Sequence, residues 1–300
     1  MALSGALGHG NDSTEESNIM RRVWHCSIVL GVAVGMAGAV AARAQQSFAD
    51  RFFSHNNTMT TLQPPLITPI VGADPRLLQY ARASFSHEYA AAGNEVVSFG
   101  NNRGGGLISG DRFEFDWNPP AYIEHNSTAV DGFGDTSTLV KYRIASGNPQ
   151  HGNFDVAAML SHSFATGSHK NGAVTDSFGP TLAGACAFAR RFDVISSLGG
   201  TMPTGKIAAQ GRSIASNTEF QVHATRHIWL ELENNATFYR GGEHDGKMQN
   251  FVLPGTFYVF RKKEWRPTHP FFIIDSGMQV ATSSFHTCNH NLISEARILF

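Results

Sequence analysis

The charged side chains of this sequence recur in one pattern, a single charge between two apolar residues. In "RFEFDW", Arg112, Glu114 and Asp116 alternate with Phe113, Phe115 and Trp117. In "TLVKYRI", Lys141 and Arg143 stand between Val140, Tyr142 and Ile144. "EFQVHA" sets Glu219 against Phe220, and "IWLELENNATF" sets Glu231 and Glu233 against Leu230, Leu232 and Phe238. Successive side chains of an extended strand point to opposite faces. One face therefore carries Arg82, Glu88, Arg112, Glu114, Asp116, Lys141 and Arg143, with Glu219, Glu231, Glu233, Asp275, Glu295 and Arg297 further on. The opposite face carries Phe113, Phe115, Trp117, Tyr142, Phe220, Leu230, Leu232, Phe238, Ile298 and Phe300. Eight acids and five bases around an enclosed, wet centre would set the charge selectivity of a passage. The same groups paired across the centre would close it.

Other chemistries find weaker support. His125 and Ser127, and the run Ser161-His162-Ser163, invite an interfacial lipid hydrolase. That chemistry needs a base within reach of the nucleophile and a third group to orient the base. His162 and Ser163 are adjacent in a strand and point apart, and His125 has no evident partner in the sequence. "FHTCNH" offers His286, Cys288 and His290, but a metal site needs three or four converging ligands and no fourth is evident. No metal and no cofactor is expected, and the protein is not expected to be an enzyme.

The elements that place these residues read as strands. Thirty glycines and 22 phenylalanines stand against 16% charged residues, a mix suited to strands with aromatic anchors and glycine turns. Period-two alternation recurs in twelve pieces, at 80–90, 94–101, 111–118, 134–145, 153–165, 176–190, 192–204, 214–226, 227–240, 247–261, 269–282 and 290–300. A soluble sandwich alternates too. Pieces of this length exceed the usual soluble strand and suit a tilted bilayer crossing. Carboxylates in mid-strand suit a water-facing lumen. In hydrocarbon every backbone group must be paired within the protein, which leaves a helix or a closed barrel. No segment after the leader is a long apolar run. The expected fold is all-β, a closed antiparallel transmembrane β-barrel of about twelve strands with periplasmic termini.

Connections support that topology in part. The inner joins near 190–192 and 225–227 are tight, while 118–135, 166–175, 203–212 and 241–246 read as longer outer loops. The stretches 101–111, 146–153 and 262–269 read as long inner connections, against the trend. Residues 45–78 form an extended arm with four prolines in "LQPPLITPIVGADPR" and no durable period. The arm either hangs in the periplasm or enters the lumen. The closing strand "ISEARILF" must pair with "YARASFSHEY" to leave no edge.

The front end reads as export. Met20-Arg21-Arg22, an apolar run from Val23 to Val40, and Ala42-Arg43-Ala44 make the three parts of a secretory signal peptide over residues 1–44, with Met20 as an alternative start. The formal net charge of −1 gives no reason to expect a nucleic-acid partner. Two cysteines follow the leader, Cys186 and Cys288, too few for a disulfide framework.

Several stretches carry a resemblance. They are "DGFGDTSTLVKYRI" (131–144), "GPTLAGACAFARRFDVISSLGGTMPTG" (179–205), "LELENNATFYRGG" (230–242), "LPGTFYVF" (253–260) and "NHNLISEARILF" (289–300). With them the chain, over roughly residues 75–300, resembles the outer-membrane barrel family labelled with the phenol meta-degradation pathway, also described as a porin family. The alternation ending on Phe300 is similar to the C-terminal signature that the bacterial barrel assembly machinery reads. The resemblance implies an exported barrel in the bacterial outer membrane, with outer-membrane lipid and small solutes, some aromatic or hydrophobic, as its partners. It carries over no functional residue. Three functions remain open at this point: a passive channel, a plugged barrel with a structural or loop-binding role, and the interfacial hydrolase.

Overall fold

The computed structural model describes residues 56, 58–90, 93–100, 104–188, 191–260 and 271–300. The expected signal peptide, the arm before residue 56 and the connection 262–269 lie outside them.

Fifteen strand segments form one antiparallel sheet. They are β1 (Tyr80–Ala90), β2 (Glu95–Phe99), β3 (Gly105–Ser109), β4 (Phe113–Asn118), β5 (Tyr122–His125), β6 (Gly132–Phe133), β7 (Thr136–Gly147) and β8 (Phe154–Phe164). The remainder are β9 (Ser177–Phe188), β10 (Phe192–Pro203), β11 (Arg212–His223), β12 (Ile228–Arg240), β13 (Met248–Phe260), β14 (Phe271–Ala281) and β15 (Cys288–Leu299). β1 pairs with β2 along its outer half and with β3 at its inner end, so β2 and β3 are two parts of one strand. In the same way β4 continues as β5, and β6 continues as β7. The result is a closed twelve-stranded barrel. Closure comes from β1 against β15, in register from Tyr80↔Leu299 to Tyr89↔His290. Every strand thereby has two neighbours, as hydrocarbon demands of a sheet.

Two expected loops are strand instead. The glycine-rich stretch 101–111 reads as a connection, but Gly105–Ser109 runs on as β3 and the inner turn is only Gly110 to Arg112. Its glycines answer close approach. A Cβ on Gly105 would stand 2.9 Å from the Tyr80 carbonyl oxygen, and one on Gly106 would stand 2.5 Å from the Tyr80 ring. Within 118–135, Pro119 and Pro120 interrupt the ladder but do not end the strand. It resumes as β5, and the outer tip is residues 126–131.

The outer surface is apolar. Phe113, Phe115, Trp117, Phe220, Leu230, Leu232, Phe238 and Ile298 are all exposed, together with Leu160, Leu182 and Leu198. Trp117 at 52% and Leu198 at 58% would be anomalous on a protein surrounded by water. Aromatic contacts gather at both ends of this belt. Phe113–Tyr142, Phe188–Phe192 and Tyr258–Phe260 lie at the inner end, and Tyr122–Phe133 and His162–Phe178 at the outer end. Two aromatic girdles around an apolar band are the arrangement of a barrel that meets lipid.

Candidate functional site

The lumen is the site, and its occupant is the chain itself. A helical turn at 58–61 leads into an extended, ladder-free segment that ends at β1. Within it Gln63, Leu66, Ile67, Ile70, Asp74 and Arg76 are buried, as are Leu77, Leu78 and Gln79. Pro64, Pro65, Pro69 and Pro75 bring no amide proton. The remaining backbone groups must be satisfied by something other than a strand partner.

Side chains of the wall supply that need, sorted by sign. Carboxylates and one amide take the N–H groups. Ile67 N donates to Gln221 Oε1 at 3.3 Å, Ile70 N to Glu231 Oε1 at 3.2 Å, Val71 N to Glu233 Oε1 at 2.9 Å and Gly72 N to Glu233 Oε2 at 3.1 Å. Leu78 N donates to Glu114 Oε2. Cations take the carbonyls. Lys141 Nζ donates to Arg76 O at 2.7 Å, and Arg297 donates to Thr68 O and, at 3.1 Å, to Pro69 O. Gln221 Nε2 completes its pair by donating to Ile67 O at 2.8 Å.

Strand register brings these groups together. Glu114 lies opposite Lys141 in the β4–β7 pair, and their side chains meet at 2.8 Å. Glu219 lies opposite Glu233, and Gln221 opposite Glu231, in the β11–β12 pair. Arg297 Nε lies 3.0 Å from Asp275 on β14, and Arg297 Nη2 lies 2.9 Å from Glu295. Arg82 Nη1 reaches Glu295 at 3.3 Å. Arg76 within the plug is bound to Asp74 through two contacts and to Leu66 O.

One side of the lumen is dry. Ile67 and Ile70 of the plug pack with Trp229, Leu253, Phe257 and Ile273. Gly255 and Gly277 face each other on β13 and β14 and leave a dimple for Ile70. A Cβ on Gly255 would stand 2.6 Å from Ile70 Cδ1, and one on Gly277 would stand 3.0 Å from the same atom. The plug is also tied to the seam. Phe300 N donates to Gln79 O at 3.1 Å, and Asn56 Nδ2 donates to Phe300 O at 2.6 Å.

The expected inward residues are distributed unevenly. Glu114, Lys141, Glu231, Glu233 and Arg297 touch the plug backbone, whereas Arg82, Asp275 and Glu295 brace that set from the wall. Glu219 is fully buried against Gly72, where a Cβ would overlap its Oε1. Arg143 is buried and donates to Asp111 O at 2.5 Å. Glu88 is half-buried in the outer half of β1. Arg112 is not on the wall. It sits exposed in the inner turn and donates to Tyr142 Oη, because the turn ends at Arg112, the residue just before β4. Phe300 is half-buried beside Gln79 rather than exposed like Ile298.

Sequence reasoning missed the plug's own Asp74 and Arg76, the wall residues Gln221 and Asp155, and the dry side. A signal for the dry side existed. "FVLPGTFYVF" and "FFII" are apolar on both faces, which a wet lumen does not require.

The hydrolase residues do not assemble. His125 Nε2 meets Asn171 Oδ1 at 2.7 Å, while Ser127 Oγ accepts from Ala129 N at 3.3 Å. His162 stacks on Phe178 and lies 3.6 Å from Asp176, whereas Ser161 Oγ donates to Gly179 O. His286 bonds Ser283 and Asn289, and His290 stacks on Tyr89. Among the described residues no group of three metal-binding side chains converges. Cys186 and Cys288 are both free thiols.

The fold is a closed twelve-stranded antiparallel β-barrel with an internal plug. No family model matches the chain, and no curated protein matches it. Solved structures do. An outer membrane channel from Pseudomonas putida F1 shares the fold at 12% identity, with 78% of this chain and 100% of that one covered and a TM-score of 0.53. The NanC porin aligns at 7% identity over 74% of this chain and 98% of its own, with a TM-score of 0.48. The translocator domain of the autotransporter NalP from Neisseria meningitidis aligns at 9% identity over 87% and 98%, with a TM-score of 0.46. The architecture rests on the first of these.

Proposed function

We propose that the protein is an outer-membrane barrel that passes small solutes, with residues 63–79 as an internal stopper that narrows the passage. The observation that carries this reading is how the stopper is held. From Ile67 to Leu78 the backbone bonds that tie it to the barrel run to wall side chains, not to a strand ladder, so it can leave while the barrel's own ladder stays intact. The resemblance to the family labelled with phenol degradation supports small aromatic compounds as one solute class. A plugged barrel with a structural role is the second reading, favoured by the dry contact of Ile70 with Leu253 and Phe257.

Planar-bilayer recording separates the two. Purified full-length protein is expected to give small unitary currents, and a deletion of residues 63–76 is expected to raise them severalfold while the barrel still migrates as a folded species in unboiled electrophoresis. If neither form conducts, the channel reading is overturned and the structural one stands.

A further inference from the structure

Between the plug and the wall formed by β1, β4, β7, β8 and β15 lies a cavity of about 390 Å³, within the range of small-molecule sites. Six charged residues line it: Asp74, Arg82, Glu114, Asp116, Lys141 and Arg297. Five of them are matched. Asp74 is held by Arg76, Glu114 by Lys141, Arg82 by Glu295, and Arg297 by Asp275 and Glu295.

Asp116 is the remainder. It is 6% exposed, and its Oδ1 is buried with no hydrogen-bond partner among the described residues. Lys141 acts on Asp116 through space, but its ammonium is hydrogen-bonded to Glu114 and to Arg76 O; a buried carboxylate oxygen is thus left without a donor, which is costly until a donor arrives. Beside the polar Thr68 and Asn118, the lining holds an apolar group, Val71, Leu78, Leu139, Met159 and Leu299, with the Tyr80 ring at one side. A hydrated inorganic cation would leave that apolar group unused. A compact apolar body carrying one ammonium would use both features, with the cation on Asp116 and the body against Leu139 and Met159.

We infer that this cavity binds small organic monoamines, alkyl or aryl, through Asp116. The inference rests on the plugged lumen of the proposed function but not on conduction, and its test is an equilibrium binding measurement in detergent. Full-length protein is titrated calorimetrically with n-butylammonium, with the uncharged alcohol 1-pentanol, one methylene longer, and with sodium ion. Butylammonium is expected to bind saturably at one site, with the other two about tenfold weaker or worse. Asp116→Asn, which removes the charge and keeps the shape, is expected to weaken butylammonium to the level of 1-pentanol. Leu139→Trp, which fills the cavity and leaves Asp116 in place, is expected to abolish binding of both. Equal binding of butylammonium and 1-pentanol, undiminished binding in Asp116→Asn, or sodium competing on equal terms would each overturn the site. Loss of bilayer current with binding intact would overturn the channel and leave the site standing.

Discussion

At the scale of single residues, the plug is secured by a division of labour that charge alone does not reveal. Glu231 and Glu233 accept amide protons, Lys141 and Arg297 donate to carbonyls, and Ile70 supplies the dry contact. Removing a buried isoleucine side chain to Cβ costs about 2–5 kcal/mol. Ile70→Ala is expected to lower barrel stability by an amount in that range, measured by urea unfolding in detergent. Gly277→Val is expected to act in the same direction by filling the dimple that Ile70 enters. The alternation of charged and apolar residues was legible at this scale, and the sides taken by Glu114, Leu230 and Ile298 followed from it. The roles were not. Nothing in the period-two pattern says that Glu233 meets Gly72, because that contact joins residues 161 positions apart and depends on closure. Arg112 shows the opposite limit, since parity cannot tell the last turn residue from the first wall residue.

At the scale of elements, the arm 63–79 behaves as an internal ligand. It has no strand partner, and its prolines rule out a regular ladder. Hydrogen bonds to charged groups contribute about 1.5–3 kcal/mol each. Glu233→Ala removes the acceptor for Val71 and Gly72. The amides of Ile70, Val71 and Gly72 are then expected to exchange with deuterium about ten- to a hundredfold faster than in the parent, while amides of β12 keep their protection. Equal exchange in the two proteins would mean that Glu233 does not hold the arm. The sequence leaves the arm's place open between periplasm and lumen, because an aperiodic proline-rich segment has no face from which to read its surroundings. The strands were far more legible, since turn chemistry and alternation agree over most of them. The error at 101–111 came from reading glycines as loop residues when they answer the close approach of Tyr80.

At the scale of the whole molecule, the belt and the girdles define which surface meets lipid. Leu232 is exposed at 49% near the middle of β12, and Phe113 lies beside the inner turn. An arginine at the bilayer midplane costs about 2–4 kcal/mol and one near the interface about 0–1 kcal/mol. Leu232→Arg is therefore expected to destabilise the protein refolded into lipid vesicles by the larger amount, and Phe113→Arg by the smaller. Similar penalties at both positions would contradict the assignment of the belt to a bilayer. Closure itself was legible from the need to pair the edges at 80–90 and 290–300. The count of twelve survived two misplaced boundaries, because those errors moved residues between loop and strand without adding or removing a crossing.

The seam between β1 and β15 has a consequence in time. Arg297, which grips Thr68 and Pro69, and Phe300, which meets Gln79 and Asn56, both sit on or beside the last strand, which closes onto the first. Without the β1–β15 pairing that grip has no fixed frame, so closing the wall and seating the plug are one event.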